Sequence, residues 1–450
     1  MRSLHRHPFG RLRCACAVGA IVLAGSRAHA ALPSGNAVQQ WNSIAEDTVV
    51  GSGAFQNEGL IYMAYVSAAV FDAVVGIEGG VARFATAIDA PPGASADAAV
   101  IEAAYRTLRN YFPARAATLD ALHAEALAAI PDGIAKDDGK AAGIAAAEGV
   151  IAQRSNDGRQ TPIGVTSPFE TRPPGPGAWR LTPPFAAPQT PWVASVRPFI
   201  LRRANQFQPR TPVSLTSQKW VDQFDEIKMF GSAATASPRT PDQTAVARFW
   251  TANVIRQYNR LARDISSARG SGVLETARLI AMVNVIGADA QIAVMNAKYH
   301  FLFWRPVTAI DPTTVTQDGF GPVPGFDDGN PATIEEAGWR PLVTTPNHPE
   351  YPAAHGSLTS AMAEVFEEFL GTHHINVAIH GFDAGGAAGN LDAVRNFETV
   401  EQLRREIADA RLWAGLHYRR SSEAGIELGR KVAHFDLRHA FKSKDRDDQK

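Results

Sequence analysis

Three short runs hold the residues whose types and spacing could do chemistry. The first is Lys298-Tyr-His-Phe-Leu-Phe-Trp-Arg305-Pro306, with two cations seven positions apart. Seven residues make two helical turns with a drift of about 20°, so on one helix both cations point the same way. The residues between them are mostly apolar, and cations embedded in such a segment need an anionic partner. Pro306 biases Arg305 away from helical angles, which ends that helix at Arg305. The second run is His348-Pro-Glu-Tyr-Pro352-Ala353-Ala354-His355-Gly356-Ser357. A proline and small residues precede a helix start, where free backbone N–H groups bind anions, and His355 is a proton donor or acceptor there. The third is Arg411-Leu-Trp-Ala-Gly415-Leu-His417. Six positions diverge by about 240° on an unbroken helix, but Gly415 allows a break that re-aims His417. Singly, these runs read as a basic stripe, a surface loop and an ordinary helix end. Together they describe a cage for an oxyanion.

The elements that must position these runs are helical. Residues 58–160 are rich in Ala, Leu and Ile at helical spacing, with Ile101, Ala104, Tyr105 and Leu108 on one face. Strand signals are weak. Twelve of the 29 prolines fall in 162–212, so that stretch reads as an extended wrap between two helical halves. Helical patterning resumes at Ser217 and strengthens over 241–298. A second Gly/Pro-rich segment covers 306–349, and long ordered loops are often functional. Helices follow at 356–370, closed by Gly371, and at about 394–440. The expected fold is all-α, with two helical bundles packed as one catalytic unit and long Pro/Gly-rich connections. The halves are 31–215 and 216–450, and the second carries every named anion ligand.

The chain has 450 residues and a net charge of -1, so no basic field argues for nucleic acid. Its first thirty residues combine a basic head, the apolar run Cys14–Gly25 and the small-residue stretch Ala28-His29-Ala30. That is the plan of a secretory signal peptide. Its removal takes five arginines and no acid, leaves a net charge of -6, and removes both cysteines, Cys14 and Cys16. No thiolate metal site, disulfide framework or cysteine nucleophile then remains. Leu60–Ile77 is apolar enough to suggest a membrane span, but Asp72 would be costly in lipid, and a buried core helix fits better. No membrane span is expected after signal removal, and the expected location is periplasmic or secreted.

In sequence order the three runs spell K-x6-R-P, P-x-x-H and R-x5-H. This resembles the vanadium-dependent haloperoxidases and type 2 phosphatidic acid phosphatases, which share one anion site. Gly287-Ala288-Asp289-Ala290-Gln291 and His348-Pro349-Glu350-Tyr351-Pro352 look like the bacterial exported haloperoxidase branch. The resemblance implies vanadate as cofactor, with phosphate able to occupy the same site. It implies His417 as the ligand to vanadium, and Lys298, Arg305, Arg411 and the Ala354 N–H around the equatorial oxygens. It makes His355 the acid–base histidine and puts His348 in a supporting position. Lys298, His355 and His417 are then the catalytic set. The implied reaction is oxidation of halide by hydrogen peroxide to a hypohalous-type species that halogenates an organic acceptor. A soluble secreted acid phosphatase with His417 as nucleophile is the alternative. A non-catalytic oxyanion binder is a third reading. Because bromide-type relatives hold a second histidine where His348 stands, bromide or iodide is favoured. Departures from the pattern are Ala353 and Ala410 in place of serines, Ser421 in place of an acid four residues past the ligand histidine, and Met295 in place of an aromatic. The sequence leaves the oligomeric state open, a homodimer included. It also leaves open whether Asp289 pairs with a site cation. His300 is read as core or supporting packing, Glu364, Glu367 and Glu368 as a solvated helix face, and Arg419 and Arg420 as a solvated turn. His373, His374 and His380 lack metal-ligand spacing.

Overall fold

Asn36 opens the first helix through a reciprocal box with Gln39, and α1 (Ala37–Gly51) follows. It leads to α2 (Gln56–Glu78), which is buried almost throughout. The computed structural model describes residues 31–160, 175–182, 184–185, 187–313, 328–381 and 393–442. The expected signal segment, residues 161–174 of the wrap, and Pro183 lie outside them. Leu32–Lys450 form one compact unit. Next come α3 (Ala96–Tyr111), α4 (Ala116–Ala128) and α5 (Ile134–Gln153). The second half begins with α6 (Gln218–Phe230), capped by Ser217, then α7 (Pro241–Phe249) and α8 (Val254–Arg269). From Val273 to Phe301 the chain is one long helix: α9 (Val273–Ala281), a π-helical turn Met282–Ile286, and α10 (Gly287–Phe301).

Both α2 and the 273–301 helix are long and apolar enough to cross a membrane, yet about nine-tenths of each apolar window is buried inside the fold. They pack against one another, and one continuous core runs from Val38 and Trp41 through Phe71, Met282 and Met362 to Val432. Asp72, which argued against a lipid setting, accepts three consecutive backbone N–H groups from Phe84, Ala85 and Thr86 at 2.6–2.7 Å.

The remaining elements are the short α11 (Pro306–Ile310), α12 (Ala354–Leu370), α13 (Val400–Trp413) and α14 (Arg419–His439). Helix α12 stops at Gly371, whose φ is +72°, as its sequence implied. The region expected as one helical stretch from 394 is different. It opens with β2 (Val394–Phe397), paired antiparallel to β1 (Val377–His380), and is then broken between α13 and α14. Four-residue strands are too short to show a period in sequence, although Val377 and Ile379 do face the core. Helices α12 and α14 cross closely because Gly425 leaves room: a Cβ there would lie 2.3 Å from the Ala353 carbonyl oxygen. That contact fixes the start of α12 against the start of α14.

Candidate active site

Three site residues each stand beside an aromatic anchor. Trp304 precedes Arg305, Tyr351 follows Glu350 and Tyr418 follows His417. All three aromatics are buried in one cluster with Trp220, Phe224 and Phe303. Trp220 lies 6.0 Å from Trp304 and 5.0 Å from Tyr418, ring centre to ring centre. Arg305 and Tyr418 have extended backbones, and in extended chain successive side chains point to opposite sides. Seating the aromatics therefore aims their neighbours the other way.

The expectation that one helix carries both Lys298 and Arg305 is corrected. Helix α10 ends at Phe301, with Leu302 in the left-handed region at φ +47°. The Leu302 carbonyl then accepts the Trp179 N–H at 2.8 Å, and Phe303 gives its carbonyl to the Glu350 N–H at 2.9 Å. This clamp between the wrap and the 348–350 loop fixes the path of the chain after Leu302, where Phe303 forms an isolated antiparallel bridge with Ala178. The cations still converge. Lys298 Nζ donates to the carbonyls of Pro349 and Glu350 at 2.8 and 2.9 Å. Arg305 donates to the His348 carbonyl through Nε and Nη2, at 3.0 and 2.9 Å, and to the Leu416 carbonyl through Nη1 at 2.8 Å.

The break at Gly415 is as its sequence implied. Helix α13 ends at Trp413, Gly415 has φ +75°, and a Cβ there would meet the Gly231 carbonyl oxygen at 2.5 Å. His417 consequently turns back toward Arg305, whose Nη1 lies 3.2 Å from its Nε2. The other ring nitrogen, Nδ1, lies 2.9 Å from Glu350 Oε1, which also accepts the Tyr418 N–H at 3.1 Å. A carboxylate only accepts. Glu350 thus places the proton on Nδ1 and leaves the Nε2 lone pair facing the cations.

Arg411 donates through Nη1 to the Trp250 carbonyl at 2.9 Å, while its Nε is buried with no partner. Nε2 of His355 is also buried and unpartnered. Ala354 and His355 open α12, where the first N–H groups have no intrahelical acceptor. Arg411, His355 and Leu416 share the wall of a cavity of about 440 Å³ with Arg248, Thr251 and Leu342.

Burial dominates the electrostatics. It pushes Lys298 well below the usual lysine range, helped by Arg305 and Arg411 and opposed by Glu350. It takes Arg305 down to about 10 and Arg411 to about 9. His348, His355 and His417 are held well below the ordinary histidine range by burial and by the same cations, so all three rings are neutral. Glu350 is raised to about 7 by burial, against the pull of Arg305 and Lys298. Three buried cations with one nearby carboxylate make a site that favours an added anion. A tetrahedral oxyanion fits the donors left over: Nε of Arg411, one proton of Lys298, the start of α12, and His355.

Glu350 escaped the sequence reading, although the His348–Pro352 run contains it. The Ser421 Oγ lies 3.4 Å from the Glu350 carbonyl. Asp289 pairs with no site cation but accepts the N–H groups of Phe199, Ile200 and Leu201 at 2.6–2.9 Å. His300 is exposed, edge-on to Phe301, instead of packing inside. Glu364 is buried, not solvated, and Arg419 is half-buried in ion pairs with Glu226 and Asp409.

Residues 278–445 match the family model described as the VCPO second helical-bundle domain. That span contains Lys298, Arg305, His348, Ala354, His355, Arg411 and His417. The second half of the chain is therefore similar to the vanadium-dependent haloperoxidases. A curated relative, the vanadium chloroperoxidase of Curvularia inaequalis, is 26% identical over 256 residues, which is 45% of this chain and 40% of that protein. Among solved structures, a bacterial vanadium-dependent iodoperoxidase superposes with a TM-score of 0.71 at 18% identity, covering 92% of this chain and all of that one. A holo-type bacterial vanadium-dependent chloroperoxidase gives 0.64, also at 18% identity, covering 88% and 93%. These two share the haloperoxidase fold with this chain.

Proposed function

We propose that this protein is a vanadate-dependent haloperoxidase, oxidising bromide or iodide with hydrogen peroxide outside the cytoplasm. The observation that carries the reading is the pairing of Glu350 with His417, which presents the Nε2 lone pair to three buried cations. A neutral imidazole fixed by a carboxylate on its other nitrogen is a good metal ligand. Lys298, Arg305 and Arg411 would balance the oxyanion's charge, and the Ala354 N–H would donate to it. Bound there, vanadate would supply a Lewis acid that activates peroxide toward halide. Nε2 of His355, neutral and unpartnered, would take the proton that peroxide gives up and return it later. Ala353 offers no hydroxyl where relatives have serine. One hydrogen bond to a charged group is worth roughly 1.5–3 kcal/mol, so the remaining donors carry the anion.

The same dyad would suit a phosphatase with His417 as nucleophile. One experiment separates the readings. Purified protein is assayed with bromide, peroxide and vanadate, and in parallel with a chromogenic phosphate ester. Turnover in the first assay alone, inhibited by phosphate and abolished by His417→Ala, is expected. Turnover of the ester alone overturns the reading in favour of a phosphatase, and binding of phosphate without either turnover leaves an oxyanion binder.

A further inference from the structure

Beside the oxyanion site lies a second, much smaller space that the reading above leaves unused. It has a volume of about 30 Å³, room for one or two water-sized guests. Four helices line it: α2 with Asn57 and Leu60, α8 with Val254, α10 with Gln291, and α12 with His355 and Leu358, while His348 completes the wall. Gln291 stands two turns before Lys298, so the two share a face of α10. The donors are built in, not incidental. Asn57 is 6% exposed and Gln291 4%. Oδ1 of Asn57 accepts the Glu58 N–H at 3.1 Å, which leaves its Nδ2 as the free end, buried with no partner. Among the described residues no acidic side chain lines the space.

We infer that this chamber is the halide site: one monatomic, weakly hydrated anion held by the Asn57 amide and the Gln291 side chain, against Leu60 and Leu358, next to His355. A buried N–H without an acceptor costs free energy that an anion relieves. Leucine walls favour an ion that sheds its water easily. The inference rests on the haloperoxidase reading for its ligand, but not for its anion chemistry. It also moves halide selection from His348 alone to α2, outside the stretch matched by the family model.

The test is bromide binding to the phosphate-loaded protein, read as excess broadening of the bromide nuclear resonance, without peroxide or vanadate. Saturable broadening is expected in the unaltered protein. Asn57→Asp places an anion in the chamber and should abolish it. Asn57→Leu, which removes the donor without adding charge, should weaken it roughly tenfold or more. Phosphate affinity should be unchanged in Asn57→Leu, which certifies the fold. In the vanadate-loaded enzyme the same variants should raise the bromide KM and leave the peroxide KM in place. Equal broadening in all three proteins, or none in the unaltered one, overturns the inference. Asn57-dependent binding without haloperoxidase turnover keeps the chamber as an anion site and defeats the proposed function. Turnover with a bromide KM indifferent to Asn57 defeats the chamber alone.

Discussion

At the N-terminal end of α12, Lys298, Arg305 and Arg411 crowd a hollow whose nearest carboxylate, Glu350, is engaged by His417. Three turns further along the same helix, Glu364 is equally buried but surrounded by its own partners. Arg404 and Arg430 donate to Oε1, His434 Nε2 lies 2.5 Å from Oε2, and Arg404 is also bound to Glu401 and Ser360. One end completes its charges within the chain and locks α12, α13 and α14 together. The other leaves cations in excess and donors idle. Buried charge with internal partners is architecture, whereas buried charge without them is a place for a guest.

The difference can be broken by removing one charge at each end. Glu364→Ala takes the buried partner from Arg404 and leaves it only Ser360 and the exposed Glu401, which should cost roughly 1.5–3 kcal/mol. Urea unfolding should show that loss, while the phosphate affinity of the folded protein stays put. Arg411→Leu should behave in the opposite way. Losing one preorganised donor to the oxyanion should cut phosphate and vanadate affinity about 100- to 1,000-fold. In anion-free buffer its thermal midpoint should hold or rise, because a buried cation without a partner is relieved. Calorimetric titration and thermal melts read both arms. A melt of the Arg411 variant as low as that of the Glu364 variant would erase the distinction between the two ends.

Glu350 sharpens the comparison because it belongs to both kinds. It is paired inside the chain, yet its partner is the proposed ligand. Glu350→Ala frees Nδ1 of His417 and should weaken vanadate binding about 10- to 100-fold. Glu350→Gln keeps an oxygen acceptor for the Nδ1 proton and should recover part of that affinity. Equal loss in both variants would mean that the charge, not the orientation, is what His417 needs.

What the sequence disclosed follows from how local each signal is. The re-aiming of His417 was legible because one glycine does it. The buried nature of α2 was legible because its apolar run is continuous. The stop at Leu302 was not, since a leucine in the left-handed region is imposed by the bonds around it, Trp179 to its own carbonyl and Glu350 to that of Phe303, and not by its own preference. Glu350 was hidden for a related reason: nothing in the spacing of residues 350 and 417 says that an extended loop and a helix break will face one another. Glu364 looked solvated because it sits opposite Leu358, Val365 and Phe369. Helices α13 and α14 also pack on α12, so that flank is covered too. Asn57 and Gln291 carry no motif, because their juxtaposition belongs to the packing of α2 on α10.

The smallest expected effect concerns a third way of settling a buried charge, with an anion held by N–H groups. Asp311, directly after α11, is 1% exposed. Burial alone would raise its carboxyl, but the Thr313 hydroxyl, the Gly338 and Thr313 N–H groups and the Arg340 guanidinium hold it down to about 2. These bonds tie down the chain leading to Leu342 and Val343, which line the large cavity. A carboxyl depressed in the folded state binds its proton less readily there than when unfolded. Its stabilisation is therefore complete above pH ~4 and is lost as pH falls through 2. From the ordinary aspartate value of 3.8 to about 2, the stake is ~2 kcal/mol. Asp311→Asn should flatten that part of the acid limb in melts run from pH 5 to pH 2, and leave the slope above pH 5 alone. An acid limb as steep in the variant as in the unaltered protein would assign the lost stability elsewhere.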